Sequence, residues 1–352
     1  MKNLANKNIQ KIKPYQPPLA GRAAYDGVLL DFNERTISPS DAVIEALKKF
    51  VSQDKLQVYP EYFDLEEKIA EYIGVENEMV MLTNGADQGI ELIFRTYTEK
   101  GDQVIIPSPS FAMFYQCAGV VGNKIIEIPY RKDLSFPVKE IINKINNDTA
   151  LIVICNPNNP TGSLASIQQI EEIVLANPQT MVLVDEVYAE FSGVSAIELT
   201  KKYPNIICVR TFSKAFGLGG LRIGYVVGNC ENVAELIKVR GPYDVNMAGY
   251  YAARAALDDI DNVKAYVQEV MTEAKLMVEQ FFTKNKIQWH QSAGNFILFR
   301  PNNPMETFEK LKKYGFLIRP RKGVNIDSTL RVTIGTKEQM TKFIEIYKEK
   351  IL

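Results

Sequence analysis

The sequence of 352 residues contains only one histidine, His290, and this scarcity excludes several kinds of active site. A serine–histidine–aspartate triad, or a metal centre built on several imidazoles, would need this residue for almost every role. His290 follows Trp289 and precedes the apolar run FILF, a context typical of a packed or strand-edge side chain. We therefore predict neither histidine-based catalysis nor a metal site.

Cysteine is scarce as well, and its spacing matches no metal-binding or redox motif. The residues are Cys117, Cys155, Cys208 and Cys230, and no pair has the CxxC spacing. Three of them lie in or beside predicted strands, which indicates buried free thiols. We expect a reducing compartment, without disulfides and without a cysteine metal site.

The sequence also has no excess of either charge and no long apolar run. Lysine and arginine number 41 against 42 aspartates and glutamates, so nucleic acid is not an expected partner. No stretch of about 18 or more apolar residues could cross a membrane, and no apolar run follows the basic N-terminal segment. We therefore expect a soluble, unexported, cytoplasmic protein without a membrane partner.

What the sequence has in quantity is an alternation of short apolar runs with amphipathic segments. The runs are apolar on both faces, which predicts strands of a sheet that is covered on both sides. They are EMVMLTNG, DQVIIPS, KIIEIPY, ALIVICN, TMVLVDE, NIICVRTF and RIGYVVG. Between them lie segments with helical spacing such as ADQGIELIFRTYTEKGD, whose Lys100–Gly101 pair predicts a helix stop. The pattern indicates an α/β domain with a mostly parallel sheet.

The pattern of predicted helices and strands changes near residue 245. From there AGYYAARAALDDIDNVKAYVQEVMTEAKLMVEQFFTKNK is helical almost throughout, and the short predicted strands NFILFR, GFLIR and LRVTIG follow, together with amphipathic helices. We predict an N-terminal arm over residues 1–35, a large domain over 36–245, and a connecting helix with a small α/β domain over 246–352.

The strongest chemical signal is TFSKAFGLGGLRIGY, a lysine just past a strand followed by a glycine-rich turn and an arginine. These residues suit a phosphorylated aldehyde, because the Lys214 amine can condense with its carbonyl while hydroxyls and the Arg222 guanidinium hold its phosphate. A solvent-facing lysine in a flexible loop is the plain alternative. A dinucleotide-binding turn is not favoured, since GLGGLRIG lacks the G-x-G-x-x-G spacing.

Three further segments carry polar residues at strand ends. Asp185 closes the apolar strand of LVDEVYAEF, where a buried carboxylate suits a protonated ring nitrogen, and Tyr188 follows one turn later. A helix cap or a surface salt bridge is the alternative for such an aspartate. NPNNPTG projects Asn159 toward the same sheet edge. TNGADQGIEL places Gly85 at a helix start, where backbone N–H groups bind phosphate.

Together NGAD, NPNNPTG, DEVY and SKAFGLGGLRIGY, in this order and at these intervals, resemble the motifs of fold type I pyridoxal-phosphate (PLP) enzymes of the aspartate aminotransferase kind. Within that group the chain is similar to the histidinol-phosphate aminotransferase family, from KPYQPP to LRVTIGT. The resemblance implies PLP as the cofactor. It also implies an α/β fold in which a large domain with a mostly parallel seven-stranded sheet is joined to a small C-terminal α/β domain.

The resemblance implies roles for individual residues at the cofactor. Lys214 matches the lysine that forms a Schiff base, and Asp185 matches the partner of the ring nitrogen. Tyr188 and Asn159 match the pair at the phenolic oxygen. Phe111 matches an aromatic residue that stacks on the ring. The positions that match the phosphate site are Ala86, Asp87, Thr211, Ser213 and Arg222.

Other matches concern the substrate. Arg331 matches the arginine that binds the substrate's α-carboxylate, and Asn33 is expected to line the same pocket. Tyr15 and Arg319 match positions that meet the substrate's phosphate, and Arg321 offers a further cation nearby. These residues together imply a phosphorylated or otherwise anionic substrate.

The resemblance also implies an activity and an assembly. Tyr59 in VYPEY matches a tyrosine that reaches the neighbouring subunit's phosphate, which implies a homodimer with shared sites. The implied reaction is transamination from histidinol phosphate to 2-oxoglutarate, in histidine biosynthesis. Several alternatives stay open. They are a related amino acid or amino alcohol phosphate as donor, an aromatic amino acid aminotransferase, a PLP-dependent decarboxylase or lyase acting on an amino acid phosphate, and a non-enzymatic protein of the PLP fold used for binding or regulation. NERTISPSDAV replaces the family's N-E-N-P-F-G-P run, and this departure concerns specificity.

Overall fold

The structure is a computed structural model that describes residues 3–53, 56–62 and 64–352. The α-helices are α1 (Asp41–Ser52), α2 (Leu65–Ile73), α3 (Gly85–Tyr97), α4 (Ala112–Val121), α5 (Val138–Ile142), α6 (Ile167–Ala176), α7 (Ala189–Ser192), α8 (Ile197–Thr200), α9 (Cys230–Val239), α10 (Met247–Asp258), α11 (Ile260–Gln268), α12 (Lys275–Lys284), α13 (Pro304–Lys313) and α14 (Lys337–Lys350). The strands are β1 (Val28–Leu29), β2 (Val80–Thr83), β3 (Gln103–Ser108), β4 (Lys124–Pro129), β5 (Thr149–Cys155), β6 (Met181–Asp185), β7 (Ile206–Thr211), β8 (Gly224–Val227), β9 (Gln288–His290), β10 (Phe296–Arg300), β11 (Phe316–Leu317), β12 (Arg319–Arg321) and β13 (Thr329–Thr333).

A seven-stranded sheet forms the centre of the larger layer, in the order β2-β8-β7-β6-β5-β3-β4. Only β8 runs antiparallel to its neighbours, β2 and β7, and the other pairs are parallel. The seven predicted strands are these seven, so the predicted mostly parallel sheet is confirmed. The apolar runs allowed this prediction because β2, β3, β6, β7 and β8 are buried along their whole length.

Helices cover both faces of this sheet, so two apolar cores form. Along β5, Ile152 belongs to one core and the neighbouring Leu151 belongs to the other, as the alternation of side chains across a strand requires. Burial of apolar surface stabilises the folded state by roughly 25 cal/mol per Å². The strands are therefore fixed from both sides, and their ends can hold polar groups in place.

The predicted free thiols are found, with one difference in burial. Cys117, Cys155 and Cys208 are buried in the two cores, whereas Cys230 is exposed at the first residue of α9. Burial raises the pKa of the Cys117 thiol to about 12, so this thiol stays protonated at neutral pH.

A smaller antiparallel sheet has the order β12-β13-β10-β9, and the N-terminal segment joins this part of the molecule through β1, which pairs in parallel with β11. The segments NFILFR, GFLIR and LRVTIG overlap β10, β11 and β13 as predicted. β9 and β1 were not predicted, because two or three residues carry no readable periodicity. His290 lies in β9, an edge strand, as expected. The division of the chain into residues 1–35, 36–245 and 246–352 stays a prediction.

The helices differ from expectation mainly at their ends. α3 ends at Tyr97, before the predicted stop at Lys100–Gly101, because Thr98 already has an extended backbone conformation. The predicted long helical stretch after residue 245 is divided into α10, α11 and α12, with a π-helical turn over Glu269–Ala274. Among the described residues, no helix is both long enough and apolar enough to cross a membrane.

The polar motifs meet at the carboxyl edge of the large sheet. β6 ends at Asp185 and β7 ends at Thr211, while α3 begins just after β2 and Asn156 follows β5. Parallel strands end at the same edge of a sheet, which is the usual ligand-binding edge of such folds. Segments that are far apart in the sequence therefore converge there.

Candidate active site

A cavity of about 530 Å³ lies between the carboxyl edge of the large sheet and strands β12 and β13 of the small sheet. Most residues predicted for the site line it. They are Tyr15, Ala86, Asp87, Phe111, Asn159, Asp185, Tyr188, Thr211, Ser213, Lys214, Arg222, Arg319 and Arg331, and Arg321 lines it too. Of the other predicted residues, Gly85 and Asn33 lie directly behind cavity residues, and Tyr59 lies elsewhere on the surface.

Lys214 follows β7, and its amine points into the cavity. Its Nζ donates a hydrogen bond to the carbonyl oxygen of Phe32 at 2.8 Å and lies 5.9 Å from the centre of the Tyr188 ring. Loss of solvation lowers the pKa of Lys214 to about 8, and the charge of Glu34 opposes this shift. An amine with such a pKa is partly deprotonated near neutrality, so it can act as a nucleophile or as a base.

Asp185 is buried at the end of β6, and few polar groups contact its carboxyl group. Its Oδ1 accepts a hydrogen bond from the Val187 N–H at 3.2 Å, and the Cys155 Sγ lies 3.9 Å from its Oδ2. Among the described residues, no cationic side chain forms an ion pair with it. Desolvation by burial raises the pKa of Asp185 to about 7. A buried carboxyl group in this condition fits a ligand that brings a protonated nitrogen.

Tyr188 is held by Asn33 from the N-terminal segment and by Phe296 from strand β10. Its hydroxyl oxygen accepts a hydrogen bond from Asn33 Nδ2 at 3.0 Å, and its ring centre lies 5.3 Å from that of Phe296. Burial raises the pKa of Tyr188, so the hydroxyl stays protonated at neutral pH. Because that hydroxyl accepts from Asn33, its own proton is free to be donated to a ligand oxygen. Asn33 thus acts from behind the cavity wall rather than on it.

The start of α3 and the turn after β7 form the predicted phosphate site. Thr211 Oγ1 donates to Ser213 Oγ at 2.9 Å, and Arg222 Nη2 donates to Asp87 Oδ2 at 2.9 Å. α3 has 13 residues, long enough for its first N–H groups to attract an anion. Gly85 has φ 76°, and a Cβ there would lie 2.7 Å from Arg222 Nη2. The positive φ favours glycine at this position, and an added Cβ would require the Arg222 guanidinium to move.

Two aromatic residues form another side of the cavity. Phe111 directly precedes α4, and its ring centre lies 6.5 Å from that of Tyr15 in an edge-to-face arrangement. Phe114 packs behind Phe111, with ring centres 5.8 Å apart. This support fixes the ring of Phe111, so a flat ligand could stack against it.

Two arginines face the cavity from neighbouring strands, since Arg319 in β12 is paired with Arg331 in β13. Arg331 is buried and donates to Asn159 Oδ1 and to the carbonyl oxygen of Asp31. Burial lowers the pKa of Arg331 to about 9, and the nearby charge of Arg321 adds to this effect. Among the described residues, neither Arg319 nor Arg331 has a carboxylate partner. The two like charges favour an anionic ligand.

Tyr59 does not contribute to the cavity. Its side chain is 73% exposed, and its ring centre lies 4.4 Å from that of Tyr243, which is also exposed. The predicted contact of Tyr59 with a second subunit stays a prediction.

The cavity residues that the sequence prediction omitted include three that carry polar or reactive groups or contact Lys214, namely Phe32, Glu34 and Cys155. The Phe32 carbonyl oxygen accepts from Lys214, and Glu34 forms an ion pair with Arg22. A signal for each was present in the sequence, since Phe32 and Glu34 adjoin Asn33 and Cys155 directly precedes NPNNPTG. Their orientation toward the cavity depends on the folded backbone.

This fold, with a lysine, a buried aspartate and a helix start that meet at one sheet edge, is that of fold type I PLP-dependent enzymes. The model of the family "Aminotransferase class I and II" matches residues 25–346, and the chain belongs to this family. The protein is an aminotransferase, and its cofactor is pyridoxal 5'-phosphate.

Two relatives and one solved structure illustrate the similarity. A dihydroxyacetone phosphate transaminase of Campylobacter jejuni is 35% identical over 98% of this chain and 96% of its own length. A histidinol-phosphate aminotransferase of Staphylococcus carnosus is 33% identical over 97% of this chain and 98% of its own length. The crystal structure of histidinol-phosphate aminotransferase from Sinorhizobium meliloti in complex with PLP has a TM-score of 0.89 at 22% identity, covering 99% of this chain and 98% of that chain.

The residues present fit PLP. The cofactor has an aldehyde, a ring nitrogen that is protonated when it pairs with an acid, and a phosphate. Lys214 offers an amine of lowered pKa, and Asp185 offers a buried carboxyl group without a cationic partner among the described residues. Ser213 and Arg222 stand beside the start of α3 and offer donors to the phosphate.

Proposed function

We propose that this aminotransferase transfers the amino group of histidinol phosphate to 2-oxoglutarate. The observation that supports this most is the cross-strand pair Arg319 and Arg331, two cavity cations without an acidic partner among the described residues. A phosphate ester and a 2-oxo acid are both anions that planar guanidinium groups bind through paired hydrogen bonds. The two substrates of a ping-pong transaminase occupy one pocket in turn, so the same arginines would serve both.

The protein's residues divide the chemistry between them. When bound, PLP supplies an aldehyde that condenses with amines and a ring that accepts electron density. We assign Lys214 as the amine that holds the cofactor and, once freed, as the base that removes the proton from the carbon bearing the substrate's amino group. Its pKa of about 8 suits a base that works near neutral pH. Asp185 keeps the ring nitrogen protonated through a charge-assisted hydrogen bond.

Other side chains position the ligands. Tyr188 and Asn159 would hold the cofactor's phenolic oxygen, Tyr188 through its hydroxyl proton, and Phe111 would offer the face of its ring for stacking. The hydroxyls of Thr211 and Ser213 hold the phosphate. We also assign the first N–H groups of α3 and the guanidinium of Arg222 to phosphate binding.

We further propose a homodimer in which Tyr59 completes the phosphate site of the other subunit. The exposed pair Tyr59 and Tyr243 supports this proposal, because large exposed aromatic side chains are typical of interfaces. A cytoplasmic location of the enzyme stays a prediction.

A second class of substrate is also supported. The relative that is 35% identical is named a dihydroxyacetone phosphate transaminase, and amination of that ketone gives an amino alcohol phosphate. In both this product and histidinol phosphate, the carbon with the amino group adjoins a CH₂–O–phosphate group. The arginine pair suits either compound, and the segment NERTISPSDAV departs from the histidinol-phosphate aminotransferase pattern. Dihydroxyacetone phosphate is therefore the second candidate substrate.

A substrate panel tests the proposal with purified holoenzyme. Histidinol phosphate, histidinol, phenylalanine, tyrosine and aspartate are offered as donors with 2-oxoglutarate, and dihydroxyacetone phosphate is offered as acceptor with glutamate. We expect the highest kcat/KM with histidinol phosphate. A higher value with dihydroxyacetone phosphate or with an aromatic amino acid would reject the histidinol phosphate assignment. Release of carbon dioxide from an amino acid phosphate without any 2-oxo acid would indicate the lyase alternative.

A further inference from the structure

Strand β12 presents two arginines on one face. Arg319 and Arg321 are two positions apart, so their side chains leave the strand on the same side, and both line the cavity. Arg331 faces the same cavity from β13, opposite Arg319. The small sheet therefore turns three guanidinium groups toward one pocket.

Arg321 has no partner that would explain its position as structural. Among the described residues, its guanidinium forms no hydrogen bond and no ion pair, and its Nε is buried without an acceptor. Arg319 is oriented by the ring of Phe32, 5.2 Å from its guanidinium carbon, and Arg331 is held by Asn159 and Asp31. Arg321 makes no comparable contact within the part of the chain that the structure describes, although burying part of a charged group without a partner is unfavourable.

The charges around Arg321 repel its guanidinium group, so the group is in an unfavourable environment without a ligand. Burial lowers the pKa of Arg321, and repulsion by Arg319 lowers it further. Two of the three acidic residues of the cavity are paired with other arginines, since Glu34 pairs with Arg22 and Asp87 pairs with Arg222, and the third, Asp185, is assigned to the cofactor. A ligand with a strongly negative group would relieve this repulsion, and a phosphate dianion can accept hydrogen bonds from two guanidinium groups at once.

We propose that Arg321 is a specificity-determining residue that, together with Arg319, binds the phosphate group of the amino alcohol phosphate from a single strand. This inference rests on the proposed function, because it concerns the phosphorylated substrate of the same site. Two guanidinium groups side by side favour a phosphate dianion over a single carboxylate. The enzyme should therefore prefer phosphorylated substrates to their unphosphorylated counterparts, and much of the preference should depend on Arg321.

The test compares steady-state kinetics of holoenzyme variants with matched substrate pairs. The pairs are histidinol phosphate with histidinol, and dihydroxyacetone phosphate with dihydroxyacetone. Loss of hydrogen bonds to a charged group corresponds to roughly a 10- to 100-fold weaker interaction, so Arg321→Met should raise KM for the phosphorylated member by that factor. The value of kcat should change little, because no bond of the phosphate group changes in the reaction and the group is bound equally throughout. KM for glutamate should also change little.

Two variants serve as controls. Arg300→Met removes the same charge from the same small sheet, but Arg300 lies outside the cavity and donates to the carbonyl oxygen of Asp327 at 3.0 Å. It should leave the phosphate preference as in the wild type. Arg321→Lys keeps the charge without the planar fork, and it should recover part of the lost preference. Bound-cofactor absorbance and thermal unfolding show whether each variant is folded.

The outcomes separate this inference from the proposed function. If the wild type shows no preference for the phosphorylated member of either pair, both the proposed function and the inference are rejected. If the wild type has the preference and Arg321→Met retains it, only the inference is rejected. An equal or larger rise of KM for glutamate in Arg321→Met would also reject it, since Arg321 would then be a carboxylate-binding residue.

Discussion

Because Asp185 is a buried carboxyl group, the free energy of unfolding of the cofactor-free protein should depend on pH. The substitution Asp185→Asn should remove this part of the pH dependence. In the folded protein, burial raises the pKa of Asp185 to about 7, whereas an unfolded aspartate has a pKa of about 3.9. Between these values the folded state binds more protons than the unfolded state. The contribution of Asp185 to the free energy of unfolding therefore falls as pH rises toward about 7 and is lost above it.

The size of the effect follows from the two pKa values. At pH 5 the folded group is almost fully protonated and the unfolded group almost fully ionised, which gives a contribution of about 3 kcal/mol relative to pH 8. The amide introduced by Asp185→Asn cannot titrate, so the variant lacks this dependence. The difference in unfolding free energy between Asp185→Asn and the wild type should thus shift by about 2–3 kcal/mol in favour of the variant from pH 5 to pH 8.

The measurement is urea denaturation of both proteins after the cofactor has been removed, at about pH 5 and about pH 8. Taking the difference between the two proteins cancels groups that titrate equally in both, including the other buried carboxyl groups. Asp148→Asn is a matched control, because Asp148 is exposed at a turn and its substitution should produce no such shift. A difference that stays constant between the two pH values would refute the claim that Asp185 is buried without a compensating cation.

Three further predictions concern Lys214 and the phosphate site. Lys214→Ala should lose essentially all transamination, since general-base catalysis alone is commonly worth about 10²–10⁴-fold, and activity within tenfold of the wild type would contradict its assignment. The rate at which cofactor-free enzyme recaptures PLP should rise as pH increases through about 8, the pKa of Lys214; an inflection near the ordinary lysine value of about 10.4 would contradict the desolvation of this amine. Gly85→Ala should weaken PLP binding, measured by equilibrium titration, because the added Cβ displaces Arg222. Gly74→Ala has a similar positive φ with open space around it and should only lower stability, by about 1 kcal/mol; equal PLP affinity in the two variants would argue against the steric reasoning.

The large sheet could be predicted because five of its seven strands, β2, β3, β6, β7 and β8, are buried along their whole length. Strands that are buried on both faces leave continuous apolar runs in the sequence, and all seven runs became strands of one sheet. β9 and β1 could not be predicted, because they are two or three residues long and exist through pairing with distant strands. The end of α3 was misplaced for a related reason, since Thr98 leaves the helix before any glycine is reached.

The residue types of the site could also be predicted, but their contacts could not. The motifs at Asp185 and Lys214 follow strands of the same sheet, so their convergence follows from the topology. By contrast, the bond from Asn33 to Tyr188 and that from Arg331 to Asn159 join residues that are 155 and 172 positions apart in the sequence. No local pattern encodes such pairs, because they depend on how the small sheet sits over the large one.

The charged residues of the cavity have a residue type that suits a ligand group of opposite charge, and this is why the sequence could identify them. Among the described residues, Asp185 is a buried carboxyl group without a cationic partner, and Arg319 and Arg331 are cations without an anionic partner, yet the structure holds them on different sheets of one pocket. Mutual neutralisation would stabilise the empty protein, because buried unpaired charges are unfavourable. The rigid strand ends prevent it and keep each charge available for a ligand group of opposite sign. It follows that the cofactor and a phosphorylated substrate should each raise the stability of the folded enzyme, and that the cofactor's stabilising effect should shrink in Asp185→Asn.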